Sequence, residues 1–323
     1  MTVLVTGAAG FIGYHVAAAL LARGARVVGI DNLNDYYDVS LKEARLARLS
    51  ANPDFAFEKL DISDRDAILA FGERHGDIDG IVHLAAQAGV RHSLVDPYTY
   101  IQSNVMGQVV MLEMARRLKG LRHFVYASSS SVYGANTEMP FSIAQRVDQP
   151  TSLYAATKRA DELIAYSYAH LYRLPATGLR FFTVYGPWGR PDMSPMLFAR
   201  AIFADEPIRV FNHGEMWRDF TFVDDIVDGV LRALDRPARG TPPHAIYNLG
   251  NHQSEKLLDY IATLEAAIGR KAHMSLEPIQ AGEVPRTYAD IDATRRDLGY
   301  EPTTPISVGI PKFVTWYRDY YRV

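Results

Sequence analysis

Tyr154 is the one tyrosine among nineteen with a lysine four residues on, in the run Ser152-Leu153-Tyr154-Ala155-Ala156-Thr157-Lys158. Four residues is about one helical turn, so phenol and ammonium emerge on the same helix face. A free phenol, with a pKa near ~10, is a poor base at neutral pH, and a neighbouring cation favours the phenolate. The chemistry such a pair offers is removal of a proton from a hydroxyl. With seven lysines in 323 residues, the same spacing also fits an ordinary solvated helix face. What surrounds the pair decides between the two.

A second chemical feature stands at the other end of the chain. Thr6-Gly7-Ala8-Ala9-Gly10-Phe11-Ile12-Gly13 follows the apolar run Val3-Leu4-Val5 and opens a helical pattern from Phe11 to Arg23. A glycine-rich turn between a strand and a helix N-terminus holds a dinucleotide pyrophosphate on backbone N–H groups. Gly7 permits the tight turn, Gly10 lets the backbone approach phosphate, and Gly13 allows close helix–strand packing. The spacing is Gly-x-x-Gly-x-x-Gly rather than Gly-x-Gly-x-x-Gly. Asp31 ends the next strand, where a carboxylate accepts from the adenosine ribose hydroxyls and repels a 2′-phosphate. Asn32-Leu33-Asn34 brings no arginine to offset that repulsion, so NAD is favoured over NADP. Asp61 and Ile62 end the third strand and could flank the adenine, although Asp61 also suits a plain turn. Leu84, Ala85, Ala86 and Gln87 end the fourth, in mostly small residues that let the backbone lie close to a cofactor.

The elements that position these residues alternate. Strands at Val3–Val5, Arg26–Ile30, Phe55–Leu60, Asp79–Leu84 and His123–Ala127 are separated mostly by helical patterns, notably Pro97–Leu118. Strands this apolar, separated by helices, predict a parallel sheet covered on both faces, a doubly wound α/β (Rossmann) fold. After Gly178 prolines and glycines become frequent, and helices such as Asp224–Leu234 and Ser254–Ile268 stand between irregular stretches. The expected organisation is a NAD-binding domain over 1–178, rejoined by a segment at about 220–250, and a smaller mixed substrate-binding domain over 179–323. The aromatic group Trp316, Tyr317, Tyr320 and Tyr321 has helical spacing and reads as packing.

Composition removes whole classes of function. Cysteine is absent, so thiol catalysis, cysteine metal sites and disulfides are excluded, and the ten histidines include no i, i+4 pair that would suggest a helical metal site. A net charge of −3 with both signs dispersed carries no nucleic-acid footprint. No uncharged run is long enough for a membrane span and no basic segment opens a leader, so a cytoplasmic protein is expected.

The motifs together resemble the extended short-chain dehydrogenase/reductases, on Thr6–Gly13, Asp61-Ile62, His83-Leu84-Ala85-Ala86, Ser128–Gly134 and Tyr154–Lys158. Within that family the chain is most similar to UDP-glucuronate 4-epimerases, on Asp31–Asp38, Ala86–Arg91, Leu153–Arg159, Leu179–Asp192 and Asn212–Thr221. The likeness implies Ser129, Tyr154 and Lys158 as the catalytic set, and a reaction in which C4 of the sugar is oxidised and reduced again from the other face. Lys158 would lower the Tyr154 pKa and hold the nicotinamide ribose, and Ser129 would donate to the reacting oxygen. A 4-ketone makes the C6 carboxylate part of a β-keto acid, which loses CO2 readily, so the carboxylate must be held. Ser130, Ser131 and Thr183 are the hydroxyl candidates for that, and Arg190 the cationic one; Arg91 and Arg218 are expected on substrate or diphosphate.

Related decarboxylases and dehydratases carry Glu, or Asp-Glu, where Ser130-Ser131 stand, which argues here against decarboxylation and elimination. The alternatives are a UDP-glucose/UDP-galactose 4-epimerase, a UDP-glucuronate decarboxylase, and more remotely a non-catalytic NAD sensor. Two stretches depart from the pattern: Pro140–Gln145 lacks the usual acids, and Met193-Ser194-Pro195-Met196 stands where Phe or Tyr is expected. A homodimer is implied, through helices over Pro97–Leu118 and Ser152–Tyr172.

Overall fold

The first strand, β1 (Thr2–Thr6), is buried along its whole length. In the computed structural model, which describes residues 1–280 and 283–323, it lies inside a seven-stranded parallel sheet. The chain runs through α1 (Phe11–Ala22), β2 (Arg26–Asp31), α2 (Val39–Ser50), β3 (Phe55–Lys59), α3 (Arg65–Arg74) and β4 (Gly80–His83). It continues through α4 (Pro97–Tyr100), α5 (Gly107–Ala115), β5 (His123–Ser129), α6 (Leu153–Tyr172), β6 (Ala176–Phe181) and β7 (Thr183–Tyr185). Then follow α7 (Ser194–Phe203), β8 (Pro207–Phe211), β9 (Trp217–Arg218), β10 (Phe220–Phe222), α8 (Val223–Asp235) and β11 (His244–Leu249). The last elements are β12 (Glu255–Lys256), α9 (Leu257–Ile268), β13 (His273–Glu277), α10 (Asp292–Leu298) and α11 (Ile306–Tyr321).

The sheet order is β11-β6-β5-β4-β1-β2-β3. Side chains alternate across it as a period of two requires. Val3 and Val5 enter a core shared with α1, α8 and α11, whereas Leu4 enters a second core with α3, α5 and α6 on the opposite face. This is the doubly wound arrangement that the alternation predicts. The winding reverses between β1 and β4, and in open parallel sheets ligands bind outside the strand ends at that reversal. Smaller pairs, β7–β10 and β8–β13 (parallel) and β9–β12 (antiparallel), lie beyond it.

Three expected elements are corrected. The helix predicted over Pro97–Leu118 is interrupted by a π turn at Ile101–Met106 and ends at Ala115. Its extra residue per turn carries Asn104, whose buried amide accepts from Gln87 N (2.8 Å) and donates to Gln87 O (3.0 Å) and Thr157 Oγ1 (3.0 Å). That side chain ties the end of the fourth strand to α6, and insertions of this kind often mark functional sites. The helix predicted from Ser254 begins at Leu257, because Glu255 and Lys256 pair with β9. The fourth strand ends at His83 rather than Leu84. The C-terminal aromatics do pack: Trp316 stacks on Tyr320 and meets Trp188, and Tyr317 stacks on Phe203.

Candidate active site

At the reversal a cavity of about 800 Å³ opens. Its floor is the glycine turn. Gly7 N and Ala8 N donate to Ile30 O (2.8 and 3.2 Å), and Gly10 N donates to Gly7 O (2.9 Å). Gly7 has φ +70°, and a Cβ there would meet Ala85 N at 2.9 Å, so the turn presses against the end of β4. Gly10 caps α1 without a side-chain hydrogen bond, which leaves the first helical N–H groups open to an anion. Thr6 Oγ1 fixes the facing strand end by accepting from Leu84 N (3.1 Å) and Ala85 N (3.0 Å). Burial, and secondarily the charge of Lys158, lowers the His83 pKa to about 3, so the ring is neutral, and its Nδ1 shares a hydrogen bond with Thr6 Oγ1 at 2.7 Å.

Asp31 is buried at the end of β2, where burial raises its pKa. It accepts from Ala9 N (3.2 Å) and Leu33 N (2.9 Å), so its orientation is set before any ligand arrives. Asn32 donates to Asp61 (2.9 Å), and Asp61 also accepts from Ser63 N and Oγ. Asp61 is thus both a turn former and a wall residue. Asn34 takes Lys42 Nζ on its carbonyl and side-chain oxygens (2.6 and 2.7 Å). Ile62, buried, packs on Gly107, where a Cβ would come within 2.6 Å of it. Under the turn lies Arg45, fully buried, donating to Ala9 O (2.8 Å), Tyr37 OH (2.9 Å), Trp188 O (2.6 Å) and Gly189 O (3.3 Å). One guanidinium therefore joins the glycine turn to the loop that carries Arg190.

Opposite the turn, Ser152 caps α6 by accepting from Ala155 N (3.1 Å), which places Tyr154 in the first helical turn at the cavity wall. The Tyr154 ring stands edge-on to Tyr100, with centroids 6.1 Å apart. Lys158 is buried, and its ammonium donates to Ala127 O (3.0 Å) and Asp161 Oδ2 (3.0 Å). Burial pushes the Asp161 carboxyl up to about 6 against the pull of Lys158. Two of the ammonium's three donors are thereby engaged. Ser129 Oγ accepts from Ser131 N and donates to Ser131 Oγ, both at 3.1 Å. Ser128, the strand residue before it, donates to Glu162 (2.7 Å), which also holds the fork of Arg180. Thr183 begins β7 at the wall.

The cradle suits a dinucleotide on its own geometry, with open helix N–H groups, no room for a Cβ at Gly7 or Gly13 and a pre-oriented carboxylate one strand away. A family model, the NAD dependent epimerase/dehydratase family, matches residues 3–250. UDP-glucuronate 4-epimerase 4 of Arabidopsis thaliana is 47% identical over 99% of this chain and 76% of its own length. Protein CapI of Staphylococcus aureus is 46% identical over the whole of both chains.

The chain belongs to the NAD dependent epimerase/dehydratase family.

Among solved members, the UDP-glucuronic acid 4-epimerase of Bacillus cereus, in complex with UDP-glucuronic acid and NAD, superposes with a TM-score of 0.92. It is 34% identical and covers 99% of this chain and 100% of its own. The chain is an NAD-dependent nucleotide-sugar epimerase, and no helix among the described residues is long and apolar enough to cross a membrane.

Every site residue expected from the sequence lines the one cavity. What the sequence did not show is how the arginines are partnered. Arg190 pairs with Asp192, Arg218 donates to Glu283 (2.8 Å), and Arg91 lies 3.8 Å from that same Glu283. Tyr36, Lys42, Asp192 and Glu283 also reach the cavity and had been passed over. Asp192, two residues from Arg190, was open to suspicion; Glu283, far along an irregular stretch, offered no signal. Of the departures from the family pattern, Phe141, Met193 and Ser194 line the cavity, so they bear on what it accepts.

Proposed function

We propose that this chain interconverts UDP-glucuronate and UDP-galacturonate. The observation that carries the reading is the turn Ser129–Ser131, three hydroxyls and no carboxylate, facing a cavity whose wall includes the guanidinium of Arg190. Relatives of nearly half identity bear that activity in their names, which supports the same substrate here. In this reading residues 1–178, with the segment at about 220–250, hold the cofactor, on Gly7, Gly10–Gly13, Asp31, Asn32, Asn34, Asp61, Ile62 and Leu84–Gln87. The rest of 179–323 holds the UDP-sugar, with Arg91 and Arg218 toward the diphosphate.

Tyr154 takes the proton of the sugar 4-hydroxyl, and Ser129 donates to the same oxygen and steadies it. NAD, when bound, supplies the acceptor and then the donor of the hydride at C4. Lys158, held by Ala127 and Asp161, keeps one N–H donor for the cofactor ribose. Ser130, Ser131, Thr183 and Arg190 hold the carboxylate through the 4-keto stage. No carboxyl group stands on the turn to assist loss of CO2 or, as a carboxylate base, to remove the proton at C5. Incubating purified protein with UDP-glucuronate, without added NAD, is expected to give UDP-galacturonate by NMR. Accumulation of UDP-xylose or a UDP-4-keto-pentose would refute the reading. So would inertness toward UDP-glucuronate combined with turnover of UDP-glucose to UDP-galactose.

The same reading includes a homodimer. Tyr98, Ile101 and Met106 on the α4–α5 segment and Leu163 and Tyr166 on α6 are large, apolar and exposed, the composition of a helical face that a second copy covers. Light scattering is expected to return twice the 36.1 kDa of the chain, and Leu163→Glu to return 36.1 kDa. A monomeric mass for the unaltered protein sinks the pairing.

A further inference from the structure

Arg190, expected as the cation for the carboxylate, is partly buried and already has a carboxylate partner. Its Nε donates to Asp192 Oδ1 (3.1 Å) and its Nη2 to Asp192 Oδ2, a two-pronged fork. Tyr36 OH donates to the same Oδ2 at 3.2 Å. Tyr36 is anchored in turn by the ring of His92, 4.8 Å away, and Nη2 makes a longer approach to Ala88 O (3.5 Å). Burial pushes the Asp192 carboxyl up and the Arg190 guanidinium more than reverses it, so both partners stay ionised. All three side chains line the cavity.

The fork has two consequences. It cancels most of the net charge at this wall, so the wall attracts an anion less than a bare guanidinium does. It also fixes the guanidinium plane by one edge, and the Nη1 hydrogens make no hydrogen bond among the described residues. We infer that Asp192, braced by Tyr36, is a positioning residue that aims the free edge of Arg190 at the sugar carboxylate. Orientation rather than attraction is its contribution. This rests on UDP-glucuronate being the substrate.

Orientation matters because of what a 4-ketone permits. Loss of CO2 breaks the C5–C6 bond and moves its electron pair onto the C4 oxygen as an enolate, which is then protonated at C5. The bond breaks readily only when it stands across the carbonyl plane. A guanidinium in a fixed plane holds the carboxylate away from that alignment and keeps negative charge on it. A guanidinium free to swing still binds the carboxylate but no longer sets its angle.

The test separates these effects. The unaltered protein is first shown to epimerise UDP-glucuronate; if it does not, the substrate reading has failed and not this inference. Asp192→Asn, which keeps the shape and removes the charge, is then compared by NMR of products and by calorimetric binding of UDP-glucuronate. The ratio of decarboxylated UDP-pentoses to UDP-galacturonate is expected to rise at least ~tenfold, since a charge-assisted hydrogen bond is worth about that factor or more. Binding is expected to stay within about threefold, because the stronger pull of an unneutralised guanidinium offsets the loss of its fixed orientation. Tyr36→Phe, a milder change, is expected to shift the ratio the same way by a smaller factor. An unchanged product ratio in a folded Asp192→Asn protein overturns the inference, and so does markedly tighter binding with an unchanged ratio, which describes a competitor for Arg190 rather than its support. If Asp192→Asn does not fold, Tyr36→Phe with an unchanged ratio overturns it equally.

Discussion

Tyr154→Phe is expected to lower kcat about a thousandfold, within the range that a positioned general base contributes. In free-energy terms that is about 4 kcal/mol of transition-state stabilisation. The substitution removes one oxygen and keeps the ring, so the edge-on contact with Tyr100 and the first turn of α6 survive. Lys158 stays held by Ala127 O and Asp161, and the glycine turn lies on a different element. Binding should therefore be spared. We expect the variant to retain NAD and to bind UDP-glucuronate within about threefold of the unaltered protein, so that the loss falls on kcat and not on KM. Steady-state kinetics with a coupled assay for UDP-galacturonate, alongside calorimetry, reads both quantities. A loss of less than about tenfold would move the proton transfer to another group, and Ser129, with its hydroxyl already placed on the same wall, would be the first to test.

The residues proposed to carry this chemistry stand out in the sequence because each is announced locally, and all of them line the cavity. A Tyr–Lys pair one turn apart, a serine run at a strand end and a glycine turn between strand and helix are statements about neighbours in sequence. Backbone geometry converts those spacings into positions with little freedom. The alternation of apolar runs with helical patterns fixed the sheet for the same reason, since a fully buried strand such as Thr2–Thr6 admits few other placements. What escaped depends on contacts between distant segments. Nothing near Arg45 foretells that its guanidinium will bridge Ala9 and Trp188, 36 and 143 residues away. Glu283 reaches Arg218 across 65 residues, and Asn104 meets Gln87 and Thr157 only because a π turn rotates it there. Apolar spacing alone does not distinguish that turn from a regular one. The Arg190–Asp192 fork lies between these cases, close in sequence but visible only once the loop has a shape. Partner choice among these charges was hidden, and the role proposed for Asp192 depends on it.

Gly13→Ala is expected to cost the protein its cofactor. An ideal Cβ on Gly13 overlaps Gly7 O and lies 2.7 Å from Gly7 C, both backbone atoms that no rotamer change can move aside. Gly7 cannot retreat, because its own N–H is bound to Ile30 O and the space a Cβ on it would take is already filled by the backbone of Leu84 and Ala85. Only α1 can yield, by lifting off the turn. That displacement strips the helix N-terminus, and the N–H groups it presents, from the floor of the cavity. It also loosens the packing of Val16, Ala17 and Leu20 against the sheet. Overpacking of a rigid site typically costs 1–3 kcal/mol, so we expect a folded protein that loses about that much stability. The larger effect is on binding. Absorbance of the acid-released nucleotide after purification is expected to fall to a small fraction of the unaltered level, and activity without added NAD to vanish. Excess NAD should restore part of it, since the wall of Ser129, Tyr154 and Lys158, proposed as catalytic, belongs to β5 and α6 and not to the displaced helix. A variant that retains stoichiometric NAD and full stability would mean that the turn has slack the packing does not reveal, and that the cofactor is held chiefly by Asp31 and the far wall.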